Sequence, residues 1–518
     1  MTENRKPRVL IIALDAAELT LIERLVQQDK LPNIARLRDV SARGRIRSVA
    51  DWFVAAPWPS FYTGASPTEH GIYHYLPWNP RTMASQPLEP DQFTLEPFWR
   101  DFQARGIETL VIDAPMVHPP PRQEHSTEIC GWCTHDCLSE PWVHPASARE
   151  RIRADGHEPI KLVETQRPMS LEELGQLTDV LNASTRNIRD LSLSLLSGQY
   201  WDFAIVSFTA THMGGHQLWG PTSLDSKVGL PGGDAIAAAL ESIYIECDRA
   251  VGSLIESAPD DTTIMLMSLH GMESNTTRSE LLPEILRLIL SGQESDDTRS
   301  FRLLSALREH VPRIWRHAIK HRLPQPLQDR LTGFWRTGGK DWSSTRAFAL
   351  VPDLQGYVRI NLRGREAEGV VAPGEEYDAI CDLIISALAQ FVDADTGQPI
   401  VSEAKRMDAI CPGDPKLNYL PDIAINWTKT PCAMHREIKS PFGSIPWPTP
   451  GLDFDGRSGN HREYGFLMVR GADIEPGITL PELDILDVAP TLYDIFDLPR
   501  PEHMHGQSFI ERRPNGAG

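Results

Sequence analysis

Apolar positions in this chain come in short, unbroken runs, and the most telling runs end at residues with chemistry of their own. Val9 to Leu14 carries no polar residue and stops at Asp15. A run of that length with no polar face fits a strand buried on both sides of a parallel sheet. Phe203 to Phe208 is a second such run, followed at once by His212 and His216. Asp261 to Met272 is a third, interrupted by His270 and then Gly271, which lets the backbone turn sharply beside a ligand. Thr109 to Asp113, Asp422 to Trp427 and Gly465 to Val469 are shorter strand-like runs. Helical spacing fills the intervals, at Glu18 to Gln28, across 146–200, and along the segment holding Tyr244, Asp248 and Leu254. Pro57 and Pro59 mark a helix start, where proline is tolerated. Glu375 to Phe391 reads as an amphipathic helix, and Leu486 to Phe496 as a C-terminal helix with Asp487 at its N-cap.

Strand followed by helix, repeatedly, predicts an α/β fold with a doubly wound, mostly parallel central sheet between helices. Residues 1–275 and 346–518 form the α/β core in this reading, with a small β-hairpin subregion at Phe348 to Leu362. Residues 276–345 are Arg-rich, helical and broken by Gly and Pro, which predicts an inserted helical cap or lid. No internal repeat is visible. Ligands of open α/β sheets bind beyond the carboxyl ends of the strands. Asp15, His212, His216 and His270 all fall there.

Composition narrows the partners. The 518 residues are 41% hydrophobic and 23% charged, as in an ordinary globular protein, and the net charge is −19. That balance argues against nucleic acid or an anionic membrane surface as partner. It leaves a small anionic substrate open, because a metal in a cleft reverses the local field. No run approaches the roughly 18 apolar residues of a membrane span, and Val9 to Leu14 is too short for a signal-peptide core. Seven thinly spread cysteines fit a reducing compartment, so the expected location is the cytoplasm. Three of them lie in Cys130-Gly-Trp-Cys-Thr-His-Asp-Cys137. With no second CxxC, this reads as a loop of buried thiols rather than a zinc knuckle.

His212 and His216 share one face of a helical turn, so both imidazoles can bind one metal with a distant third ligand completing the site. Two histidines that merely cap a turn are the alternative. Asp15 reads equally as a ligand or as a helix N-cap. His70 and His74 follow a Thr-Gly turn, and His135 lies in the Cys-rich loop. His70 and His135 are candidate substrate contacts, set against ordinary loop histidines. Asp248 reads as a structural hydrogen-bond partner, and Trp58 and Trp219 as packing.

At these residues the chain resembles the alkaline phosphatase superfamily, and more closely its type I phosphodiesterase/nucleotide pyrophosphatase branch. The resemblance runs from Val9 to about Phe509. It rests on the strand to Asp15, Leu31-Pro-Asn-Ile-Ala-Arg-Leu37, Ser60-Phe-Tyr-Thr-Gly64 with Glu69-His-Gly71, Ser268-Leu-His-Gly-Met272, Gly459-Asn-His461, and Asp487-Val-Ala-Pro-Thr-Leu492 with Asp497-Leu-Pro499. It implies an alkaline-phosphatase-like fold with a metal site at the strand ends. Asp15, His216, His270 and His461 match metal ligands of the family. His212 and Leu269 stand where the family keeps acids, and Val54 stands at the nucleophile position.

These departures reshape the expected chemistry. His212, His216 and His461 make a three-nitrogen set suited to one divalent ion, zinc above all, with an open position. The second site keeps only Asp15 and His270. Valine cannot form a phospho-enzyme, so attack by a zinc-activated water takes its place, with Asp15 or His270 orienting it or acting as base. Ser60 and Thr63 are the nearest hydroxyls in sequence, and Ser60 is the candidate substrate contact. The expected activity is metal-dependent hydrolysis of a phosphoester, phosphodiester or related anionic ester. The alternative is a non-hydrolytic member that binds a phosphorylated ligand or uses the metal in another transfer reaction.

Overall fold

The structure, a computed structural model, describes residues 6–120, 126–134, 138–164, 169–220, 233–291, 341–351, 354–411, 419–430, 436–447, 456–472 and 474–510. Its centre is a nine-stranded sheet. In chain order its strands are β1 (Val9–Leu14), β2 (Ala42–Arg47), β3 (Thr109–Ile112), β4 (Ser126–Cys130), β5 (Trp142–His144), β6 (Phe203–Phe208), β7 (Thr263–Ser268), β14 (Tyr464–Arg470) and β15 (Leu483–Asp484). Their spatial order is β15-β2-β14-β7-β1-β6-β3-β4-β5. β7, β1, β6, β3 and β4 run parallel, as the unalternating apolar runs require. β14 and β5 run antiparallel to their neighbours.

Side-chain alternation sorts each strand onto two cores. Leu10, Ile12 and Leu14 join Ala204, Val206, Phe208, Ile264 and Leu266 on one face. There they meet α1 (Leu19–Gln27), α2 (Pro32–Asp39), α4 (Leu171–Gly198), α5 (Ala210–Leu218) and α6 (Gly233–Ser257). Val9, Ile11 and Ala13 point the other way with Phe203, Ile205, Met265 and Met267. They pack on α3 (Pro57–Thr63), the helix Phe98–Ala104 and α9 (Val488–Ile495). Asp248 serves the structural role expected of it: its carboxylate accepts the Asn33 and Ile34 N–H groups at the start of α2.

The helical reading of 146–200 divides in two. A helix at Ala146–Ala154 ends where Gly156 turns with φ +82°, and α4 begins only at Leu171, where Ser170 accepts the Glu173 N–H. The expected hairpin forms as β9 (Ala347–Ala349) and β10 (Gly356–Ile360). It is half of a four-stranded antiparallel sheet completed by β12 (Ile423–Trp427) and β11 (Val401–Arg406). α7 (Leu282–Leu290), inside the stretch expected to be a cap, shares a hydrophobic core with this sheet and with α8 (Glu375–Leu388). Residues 292–340 of that stretch lie outside the described residues. Gln355 donates to Ala50 O and the Tyr357 hydroxyl to Trp52 O, so the smaller sheet is tied to the segment leading into α3. Among the described residues no helix is long and apolar enough to cross a membrane.

Candidate metal centre

β1 and β6 lie side by side, and the Asp15 N–H donates to Phe208 O at 3.0 Å where both strands end. α5 starts two residues after β6, so the four-residue spacing of His212 and His216 becomes one helical face. A two-stranded antiparallel ribbon, β8 (Gly271–Ser274) with β13 (Gly459–Arg462), crosses this edge and sets His461 opposite Met272. Gly459 permits the approach, since a Cβ there would sit 2.1 Å from Gly215 O. The ribbon is bonded to α5 through Ser458 N–H to His216 O at 2.7 Å.

The result is a buried triangle of imidazole nitrogens. His212 Nε2 lies 3.0 Å from His216 Nε2 and 2.9 Å from His461 Nε2. The ligand atoms of these three side chains lie within 4.8 Å of one another, and theirs is the metal-capable group among the described residues. The outer nitrogens reveal the tautomers. His216 Nδ1 is 2.9 Å from Gly459 O, and a carbonyl only accepts, so that nitrogen carries the hydrogen. His212 Nδ1 is 2.7 Å from Asp15 Oδ2. Burial pushes the Asp15 carboxyl up, but the His212 and His270 rings and the Trp58 indole outweigh it and hold the group well below the usual carboxylate range. An ionised carboxylate also only accepts, so His212 Nδ1 carries its hydrogen too.

When both rings are neutral, their Nε2 atoms present lone pairs to each other across 3.0 Å. His461 cannot resolve the conflict by becoming an imidazolium. Burial, reinforced by the neighbouring histidines and Arg457, holds it well below its ordinary value. A neutral His461 brings at most one proton to the triangle. One cation in the middle satisfies all three lone pairs, and nitrogens about 3 Å apart suit zinc–nitrogen bonds of about 2.0–2.1 Å. The Asp15–His212 bond is of the carboxylate–histidine kind that orients metal-binding imidazoles.

The other expected residues fall around this triangle. His270 Nε2 is 3.9 Å from Asp15 Oδ1, and the His270 ring packs on His461 with centroids 4.3 Å apart. Val54 is buried and Leu269 belongs to an apolar core, and neither side chain has an atom that could ligate a metal. Ser60 and His70 bond each other. Ser60 Oγ is 3.0 Å from His70 Nε2, and both residues are buried. His70 Nδ1 accepts the Ile72 N–H at 3.1 Å, so Nε2 carries the hydrogen and donates it to Ser60. His70 is thus a donor to that hydroxyl, not a base for it. His135 lies outside the described residues. Two contributors went unread in the sequence. Glu164 Oε1 lies 4.0 Å from His216 Nε2 and pairs with buried Arg457 at 3.4 Å. Glu164 comes from an irregular segment with no periodicity to flag it, whereas Arg457 is four residues before His461 and open to inspection.

A model of the family described as type I phosphodiesterase / nucleotide pyrophosphatase matches residues 9–409. The chain belongs to this family. Its fold is that of the alkaline phosphatase superfamily, as the resemblance implied. Phosphonoacetate hydrolase from Sinorhizobium meliloti 1021, solved in complexes with phosphonoformate and with phosphonoacetate, is 13% identical with a TM-score of 0.50, over 93% of this chain and 94% of that one. Human ectonucleotide pyrophosphatase / phosphodiesterase 5 is 12% identical over 97% of each chain, with a TM-score of 0.46. No curated protein matches the chain.

Proposed function

We propose that this member of the type I phosphodiesterase/nucleotide pyrophosphatase family hydrolyses a small phosphoester, phosphodiester or related anionic ester with one divalent ion, zinc by preference, held by His212, His216 and His461. The observation that carries the reading is a buried triangle of imidazoles in which His212 Nε2 lies 2.9–3.0 Å from the Nε2 atoms of His461 and His216, with the outer nitrogens of His212 and His216 committed to Asp15 and Gly459. Three imidazoles with an open fourth position are a donor set for catalytic rather than structural zinc. Such an ion supplies Lewis acidity, stabilising charge on the substrate oxygens and making water nucleophilic near neutral pH.

The chain's own residues divide the remaining work. Asp15 holds the His212 ring in register. Its two oxygens already accept from His212 and Trp58, so the role of proton acceptor from the attacking water falls to His270 beside it. Arg457 lies beside the histidine cluster, its charge shared with Glu164. Water is the nucleophile because Val54 offers no oxygen for a covalent intermediate. Buried Cys130, Cys133, Cys247, Cys381 and Cys411 support a reducing, cytoplasmic setting.

The test is metal analysis joined to a panel of phosphoesters, phosphodiesters and phosphonates. Zinc should copurify at about one equivalent, a chelator should abolish hydrolysis, and His216→Ala should lose both metal and activity. Hydrolysis that survives complete chelation would sink the proposal. Val54 also favours a second reading, a ligand-binding member without turnover. Retained metal and tight phosphoester binding, with no product from any substrate, would establish that instead.

A further inference from the structure

The family resemblance implies a second cation beside the first, with Asp15 and His270 among its ligands. The residues present do not fit it. Such an ion would bridge Asp15 Oδ1 and His270 Nε2, which lie 3.9 Å apart. We propose that the centre is mononuclear, and that the indole N–H of Trp58 occupies the place at Asp15 that a second cation would need. This inference rests on the reading of His212, His216 and His461 as a metal site.

Three observations converge on it. Trp58 Nε1 donates to Asp15 Oδ1 at 3.0 Å, the same oxygen that faces His270. The other oxygen, Oδ2, is taken by His212 at 2.7 Å, so both halves of the carboxylate already have a donor. The remaining positions expected to complete a second coordination sphere are Leu269 and Val54, and neither bears a ligand atom. A divalent ion left with one carboxylate oxygen and one imidazole would have to draw the rest of its sphere from water.

An indole is suited to the substitution. It is a donor only, so it can meet a buried carboxylate but cannot compete with the histidines for the first ion. It neutralises part of the carboxylate charge through a hydrogen bond and demands no further ligands. Its position is fixed locally. Pro57 and Pro59 enclose it in the first turn of α3, where missing N–H groups cost nothing. Trp58 is 4% exposed and packs edge-to-face on Phe61 with centroids 5.8 Å apart. Trp58 is thus a positioning residue. It fixes Asp15, and Asp15 fixes the His212 ring.

Cobalt(II) titration of the metal-free full-length chain, followed by visible absorption and by elemental analysis after gel filtration, tests the proposal. Wild type should saturate at one equivalent, even in excess cobalt. Trp58→Phe keeps the ring and removes the N–H, and it should retain the first equivalent and gain a second, weaker one. Two equivalents in wild type would overturn the proposal. So would a Trp58→Phe variant that still takes one equivalent while its circular dichroism and melting match wild type. If that variant does not fold, the wild-type count alone decides, one supporting and two overturning. A wild-type count of zero would instead remove the metal reading on which the inference depends.

Discussion

The buried Ser60–His70 pair and the buried histidine triangle obey opposite hydrogen-bond logic. In the Ser60–His70 pair each contact of the ring has one donor and one acceptor: the Ile72 N–H enters Nδ1, and Nε2–H leaves toward Ser60. In the His212–His216–His461 triangle the Nδ1 atoms of His212 and His216 donate outward and the three Nε2 atoms face inward. Burial is the same in both, so burial does not tell a ligand from a core histidine. Proton accounting does. The first pair is complete as it stands, while the second gathers three nitrogens where the proposed cation would bind.

That contrast can be broken most decisively at the triangle. His216→Ala should lower zinc affinity by more than about a hundredfold, beyond the roughly 10–100-fold that loss of an outer-sphere partner costs. Competition against a chromophoric chelator measures it, and a smaller change would mean that the three nitrogens do not act together. Asp15→Asn keeps the shape but offers His212 a weaker, neutral partner. Zinc affinity should then drop about 10–100-fold with the far-ultraviolet spectrum unchanged. Ser60→Ala belongs to the other cluster and should leave zinc affinity alone. It strands a buried N–H, so urea unfolding should show a loss of about 1–3 kcal/mol.

The smallest effect is a slope. Burial lowers the His70 pKa to about 3, against the opposing influence of Glu69. Between that value and the ordinary histidine value of about 6.5, the unfolded chain binds a proton that the folded chain does not. Stability from this group is therefore complete above about pH 6.5 and is lost as pH falls toward 3. Its share of the slope is at most about 1.4 kcal/mol per pH unit. His70→Gln should flatten the dependence of unfolding free energy on pH across that window. An unchanged slope would show that His70 does not titrate on unfolding.

The strands that carry the site were legible because each is buried on both faces and leaves an unalternating apolar run. His212 and His216 were legible because helical spacing is local. His461 was reached through a family resemblance, since no short-range pattern joins it to residues 249 positions away. What stayed hidden depends on contacts across the chain. The role of Trp58 is set by where α3 docks against β1, and at the level of residues it reads as packing. The packing of α7 was not legible locally because its partners, Val358 and Ile425 among them, follow it by dozens of residues. The break after Ala154 was marked locally by Asp155-Gly156, but the interleaved charges on either side masked it.

Gly459 gives the ribbon its close approach to α5, and so lets an ion clasp residues from distant parts of the chain. The ion proposed here would act as a reversible cross-link, binding the assembled edge and not the unfolded chain, and would stabilise the fold by mass action. The gain is about 2.7 kcal/mol when free metal stands at a hundred times the dissociation constant. Metal supply would then set the lifetime of the protein as well as its activity. A cell short of zinc would hold a softer molecule, with the ribbon free to leave the helix it now covers.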